Sequence, residues 1–216
     1  MSGFIFDMDG VLLDSIHIWH KSERMILDMA GITLTKEQRD ELNALTLEEA
    51  GQWFHDLFGI MRDGKQVSEA IVDHMLTFYR DEVQAKPGAL EFVRAVHEAG
   101  EPLCVLSSSP QAFLQAGLAH AQIKQYFQPE LIISAEDAGL KKRSPGTFSR
   151  VCELLGTQPG ETWLFDDSWY ALETARDEGL RCVGIYSSDN CGTRVELARY
   201  AEFVADDFTS FNVEVF

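Results

Sequence analysis

Basic residues are scarce in this sequence. Lys and Arg total 18 against 35 Asp and Glu, a formal net charge of −17 over 216 residues. Nucleic acid and anionic membrane surfaces are gripped by clustered positive charge, so neither is an expected partner. Cysteine is sparse too: Cys104, Cys152, Cys182 and Cys191 form no CxxC pair and no Cys/His metal spacing. Three of them sit inside apolar stretches and read as reduced core thiols. No apolar run approaches the roughly 20 residues of a membrane span. The N-terminus runs straight into a strand pattern and then charged residues, without a signal-peptide pattern. Repeats and low-complexity stretches are missing as well. These absences leave a soluble, cytoplasmic protein as the expectation.

What is present is an ordinary globular composition, 45% hydrophobic and 25% charged. The length suits one large domain, or one domain carrying a smaller insert. Gly3 to Phe6 reads as a short buried strand. From Ser15 to about Gln84 the pattern turns helical. Ile16, Trp19, Met25, Ile26 and Met29 recur at helical spacing and stop at Gly31. Thr35 reads as a helix start, and Thr46 with Glu49 as a capping box. Ser68 to Val83 is a further amphipathic stretch.

After Lys86-Pro87-Gly88 the chain alternates strands and helices. Leu103–Leu106, Leu131–Ile133, Trp163–Phe165 and Cys182–Tyr186 read as strands, with Phe203-Val204 as a short further one. Ser109-Pro110 reads as an N-cap and N1 pair, and Ser144-Pro145 as the opening of a later helix. Strands separated by helices imply right-handed crossovers and a parallel sheet. The expected fold is therefore α/β. A doubly wound, Rossmann-like parallel sheet forms a core over 1–14 and 86–216, with an all-helical cap inserted over 15–85.

Three strands end in polar side chains: Asp7 after Phe6, Ser107 after Leu106, and Asp166-Asp167 after Phe165. Ligand sites of open parallel sheets lie outside the carboxyl ends of the strands, so these positions should converge. Singly, each has an everyday alternative. Asp-Met-Asp-Gly suits a turn, Asp166-Asp167 suits a helix N-terminus through the macrodipole, and Ser107 could cap a helix.

The string Phe6 to Ser15, Phe-Asp-Met-Asp-Gly-Val-Leu-Leu-Asp-Ser, closely resembles the first signature of the haloacid dehalogenase superfamily. Ser107 resembles the second, Lys142 ahead of Ser144-Pro145 the third, and Asp166-Asp167-Ser168 the fourth. The four follow in the family's order across nearly the whole chain. The helical insert between the first and second matches the cap of the phosphatase and phosphomutase subgroup. The resemblance implies that Asp7 is a nucleophile, and that Mg2+ is bound by Asp7, the backbone carbonyl of Asp9, and Asp167 with help from Asp166. Asp9 is placed to protonate a leaving alkoxide and to activate water. Dehalogenases expel halide and generally lack that second acid, so Asp9 points to phosphate esters. The net charge would repel such substrates, which makes local positive charge necessary. Ser107 and Ser108 are implied phosphate contacts, with the helix N-terminus beyond them. Lys142 would neutralise the transferring group. The third motif is irregular, with Arg143 where the family has proline, and Lys141 is a rival for the active-site lysine.

Trp19 stands where sugar phosphomutases of the subgroup carry a histidine. It is either a substrate contact or packing. His17 and His20 read as exposed or satisfied polar residues, and Trp53, Phe54 and Phe58 as cap core. Asn43 to Leu47 lacks the arginine with which the mutases grip a second phosphate, and Arg24, Arg39, Arg62 and Arg80 are the cap arginines. Asp14-Ser15 and Ala85 to Pro87 are the expected hinges. The reading is a small-molecule phosphatase, a monomer or weak homodimer. The alternatives are a β-phosphoglucomutase-type mutase and a non-catalytic protein on the same fold.

Overall fold

The computed structural model describes residues 2–42, 45–187 and 192–216, and of Asp40 only the backbone. The expectation for Cys191, and the Asn43-Ala44 part of the missing-arginine argument, lie outside the described residues. The chain divides into two compact units, Met1–Ile16 with Arg80–Phe216, and His17–Tyr79.

In the first unit, β1 (Gly3–Phe6), β2 (Leu103–Ser107), β3 (Ile132–Ser134), β4 (Thr162–Asp166), β5 (Arg181–Ile185) and β6 (Phe203–Ala205) form one sheet in the order β3-β2-β1-β4-β5-β6. Every pairing is parallel. Strand order reverses at β1, with β2 on one side and β4 on the other. In open parallel sheets it is outside the strand carboxyl ends at such a switch point that ligands bind. Strands β1, β2 and β4 are buried along their whole length, as a two-sided parallel sheet requires.

The two-residue period sorts the core onto two faces. Phe4, Phe6 and Phe165 stack on one face, with Phe6 and Phe165 centroids 5.0 Å apart, and meet Phe92 and Phe208. Ile5, Leu106, Leu164 and Cys182 pack on the other, with Phe148, Val151 and Leu172. Cys104, Cys152 and Cys182 are buried free thiols.

The second unit is helical, and its first and last helices run across the unit boundaries. Helix α1 (Ile16–Ala30) ends at Gly31, whose φ is +66°. Helix α2 (Lys36–Leu42) follows Thr35, which exchanges hydrogen bonds with Gln38. Helix α3 (Leu47–Phe58) opens with the Thr46–Glu49 capping box. Helix α4 spans Gly64–Asp81. A Cβ on Gly51 would stand 2.5 Å from Gly64 O, so α3 and α4 approach backbone to backbone. Trp53 lies edge-on to Phe54 and Phe58 within this unit. No helix among the described residues is long and apolar enough to cross a membrane.

The expected cap limits, 15 and 85, fall inside the first unit. There the two crossing segments are tied together: Asp14 N–H donates to Gln84 O, and Lys86 N–H to Leu12 O, both at 2.9 Å.

In the first unit two helix starts differ from the sequence reading, and in the second α4 begins at Gly64 instead of Ser68. Helix α5 (Ala89–Glu98) follows Gly88 as expected, but α6 (Gln111–His120) has Pro110 at its N-cap and no side-chain cap. Ser109 does not cap, because its hydroxyl is spent on Asp9, 2.6 Å away. Helix α7 (Thr147–Leu155) opens three residues after Ser144, behind Gly146 at φ +86°. Its first turn is closed by Glu178, which accepts from Gly146 N–H, Ser149 N–H and Ser149 Oγ. Helices α8 (Trp169–Asp177) and α9 (Arg194–Leu197) complete the unit.

Candidate active site

Asp7 follows the last residue of β1 and is held to β4 by its N–H, which donates to Phe165 O at 2.9 Å. Met8 N–H donates back to Asp7 Oδ1 at 2.7 Å. The chain then doubles back, with Leu13 N–H donating to Met8 O and Gly10 N–H to Leu13 O. Gly10 sits at φ +73°, and a Cβ there would lie 2.6 Å from Asp167 Oδ2. The glycine is required twice, by its backbone conformation and by the carboxylate against it.

Asp166 ends β4 and Asp167 follows it. The carboxylates of Asp7, Asp166 and Asp167 are buried and offer oxygens within 4.8 Å of one another. Lys142 is buried among them. Its Nζ stands 2.9 Å from Asp7 Oδ1 and 2.8 Å from Asp166 Oδ2. The other oxygen of Asp166 accepts from Ser168 N–H, and Asp167 Oδ1 accepts from Ser168 Oγ. Asp166 thus spends both oxygens on protein donors.

The two neighbouring lysines of this loop are placed differently. Lys141 O accepts from Ser144 N–H and Thr147 Oγ1, each at 2.8 Å, which fixes the turn. The Lys141 side chain is exposed while Lys142 points inward. Arg143, which departs from the family's proline, lays its guanidinium 3.8 Å from the Tyr170 ring centroid.

Asp9 stands apart from the three-carboxylate group. Ser15 Oγ donates to its Oδ1 at 2.5 Å and Ser109 Oγ to its Oδ2 at 2.6 Å. Ser107, the last residue of β2, is buried, and its Oγ accepts from Ser109 N–H at 3.2 Å. Ser108 between them is exposed. In the serine run it is Ser109 that reaches an acid, which the sequence reading missed. Trp19 is half-buried in α1 and belongs to the helical unit; His17 and His20 are exposed.

Three buried carboxylates gather around one buried ammonium here. Burial pushes the Asp7 carboxyl up to about 7; Lys142 opposes the rise, and Asp166 and Asp9 reinforce it. Burial raises Asp167 well above the usual carboxylate range as well, with Asp7 and Asp166 adding to it. For Lys142, burial disfavours the charge, yet Asp166 and Asp7 outweigh it and hold the ammonium above the usual lysine range. Surplus negative charge on an oxygen-only donor set is the environment that a hard divalent cation fits.

The sequence matches the haloacid dehalogenase-like hydrolase family over residues 4–185. The fructose-1-phosphate phosphatase of Escherichia coli K12 is 26% identical over 184 residues, covering 85% of this chain and 96% of the relative. A phosphoglycolate phosphatase of Pseudomonas putida is 23% identical, covering 94% of this chain and 75% of the relative. Among solved structures, CbbY from Rhodobacter sphaeroides in complex with phosphate superposes with a TM-score of 0.76 at 18% identity, covering 97% of this chain and 96% of that one. With the match spanning β1 through β5, this chain belongs to the haloacid dehalogenase-like hydrolases.

Proposed function

We propose that the protein is a Mg2+-dependent phosphatase for a small phosphorylated metabolite of the sugar-phosphate or phosphoglycolate class, with Asp7 as nucleophile. The observation that carries this reading is the Asp7 carboxylate, buried at the switch point with Lys142 at 2.9 Å and Asp166 and Asp167 grouped around it. The family resemblance of the sequence and the phosphatases among its relatives support the substrate class.

An Asp7 oxygen forms a bond to phosphorus as the ester P–O bond breaks, and Asp9 gives its proton to the departing alkoxide. Water then attacks the aspartyl-phosphate, Asp9 takes the water's proton, and the Asp7 carboxylate leaves with inorganic phosphate as product. Lys142 keeps a positive charge beside the nucleophile throughout, and Ser107 donates to a phosphoryl oxygen. Asp7 and Asp167 would hold Mg2+, with Asp166 supporting them by anchoring Lys142. When bound, the ion neutralises the phosphate and polarises it for attack.

The direct test is a phosphate-release screen of the purified protein with Mg2+ against sugar phosphates and phosphoglycolate. Turnover on the order of 1–10 s⁻¹ on at least one of them is expected. Release from none of them, with the ion present, would sink the reading.

A second expectation concerns the ion and pH. The raised carboxyls of Asp7 and Asp167 bind more protons in the folded chain than in the unfolded one. Without cation, their contribution to stability is therefore lost as pH rises toward and through about 7. A cation that binds only the folded state replaces those protons. Saturating Mg2+ should raise Tm at pH 8 by at least about 3 °C more than it does at pH 5.5. Equal Tm increments at the two pH values would contradict the assignment.

A further inference from the structure

We infer that Ser109 is the positioning residue for the acid/base Asp9, and that it sets Asp9 and the phosphoryl contact Ser107 in one register. The inference rests on the phosphatase reading above and deepens it. Ser109 is 5% exposed and makes both of its contacts inside the protein. Its Oγ donates to Asp9 Oδ2 at 2.6 Å across 100 residues of sequence, and its N–H donates to Ser107 Oγ at 3.2 Å.

Each bond has a separate consequence. A hydroxyl has one hydrogen to donate and two lone pairs to accept with. Because Ser107 accepts from Ser109, its own hydrogen is available to a phosphoryl oxygen. On the other side, Ser15 holds Asp9 Oδ1 from within the β1 loop, while Ser109 holds Oδ2 from the end of β2. A carboxylate gripped on both oxygens from two elements cannot swing about its side-chain bonds. That orientation is what delivers a proton to one leaving oxygen instead of to solvent.

The hydroxyl also suits a group that gives up and regains a proton in each cycle. A backbone N–H in its place could only donate, and would oppose the protonated form of Asp9. Serine turns from donor to acceptor by rotating one hydrogen, with no heavy atom displaced. The same geometry therefore serves Asp9 as acid and as base.

The two roles separate by leaving group. An alkyl phosphate such as a sugar phosphate needs its leaving oxygen protonated, whereas 4-nitrophenyl phosphate expels a stabilised phenolate with little help. Ser109→Ala removes the hydroxyl but keeps the N–H to Ser107. The ratio of kcat/KM for 4-nitrophenyl phosphate over that for the alkyl phosphate should rise at least about tenfold in Ser109→Ala, since general acid catalysis contributes roughly 10²–10⁴. Ser109→Cys keeps the shape without a strong donor and should behave alike if the alanine variant folds poorly. Ser109→Thr, which keeps the hydroxyl, should bring the ratio back toward wild type. Loss of both activities in Asp7→Asn, measured alongside, reads the phosphatase assignment independently. An unchanged ratio in Ser109→Ala and Ser109→Cys overturns the role of Ser109 while the Asp7 result stands. Turnover surviving in Asp7→Asn overturns both.

Discussion

Asp7→Asn should lower phosphate release by at least about 10,000-fold, the scale on which removing a covalent nucleophile acts. The amide is nearly the same size, and its oxygen can still accept from Met8 N–H, which donates to Asp7 Oδ1. Lys142 keeps its 2.8 Å contact to Asp166. What is lost is the anionic oxygen, the group proposed to attack phosphorus. The fold should not suffer, because burial and neighbouring carboxylates already disfavour the charge on Asp7. The metal-free variant should therefore unfold at a temperature no lower than wild type at pH 8, while its response to Mg2+ weakens. Steady-state phosphate release and thermal unfolding on one preparation check both halves. A variant that turns over substrate at the wild-type rate defeats the nucleophile assignment.

Lys142→Ala is expected to act on the fold as strongly as on activity. The ammonium is buried against Asp7 and Asp166, and its removal strands three buried carboxylates with no cation among them. Breaking a buried pair by deleting one partner costs about 3–5 kcal/mol. For a chain of this size that is a fall in Tm of roughly 10 °C. The carboxyls can escape part of the cost by taking up protons, so the loss should be smaller at pH 5.5 than at pH 8. Lys142→Arg should not restore activity, because a planar fork does not replace a compact ammonium reaching two carboxylates. Exposed Lys141 is the natural comparison, and Lys141→Ala should stay within about 0.5 kcal/mol of wild type. Denaturation curves in the absence of divalent ion measure the contrast; equal Tm values for the two alanine variants would contradict it.

Much of this was legible in the residues, for identifiable reasons. Strands buried along all or nearly all of their length read as apolar runs, so β1, β2, β4 and β5 stood out. The acids at the ends of β1 and β4 could be paired because parallel strands carry their ends to one edge. The choice between Lys141 and Lys142 could not be read, since a turn has no period and only burial separates the two side chains. Ser109 was hidden by a correct local rule applied at the wrong position. Serine before proline favours a cap, but a buried carboxylate 100 residues away took the hydroxyl. The start of α7 was likewise misread because Glu178, 32 residues beyond Gly146, supplies the partners that its first turn needs. The helices of the second unit were foreseeable from their spacing and caps. What Trp19 faces was not, because amphipathic spacing names the inward side of a helix and nothing about an outward-facing ligand.

The tie between the two crossing segments has a consequence for chain entropy. Leu12 and Lys86, and Asp14 and Gln84, are bonded backbone to backbone, and Leu13 bridges Ala85 in antiparallel fashion. The segment between them is a loop whose mouth is already sewn shut by the core. Closing a loop costs only about 0.6 kcal/mol more for each doubling of its length. Lengthening the insert from a few residues to a helical unit of about seventy is roughly four doublings, or about 2.5 kcal/mol. The stem thereby limits how heavily the length of the insert weighs on the sheet that holds Asp7.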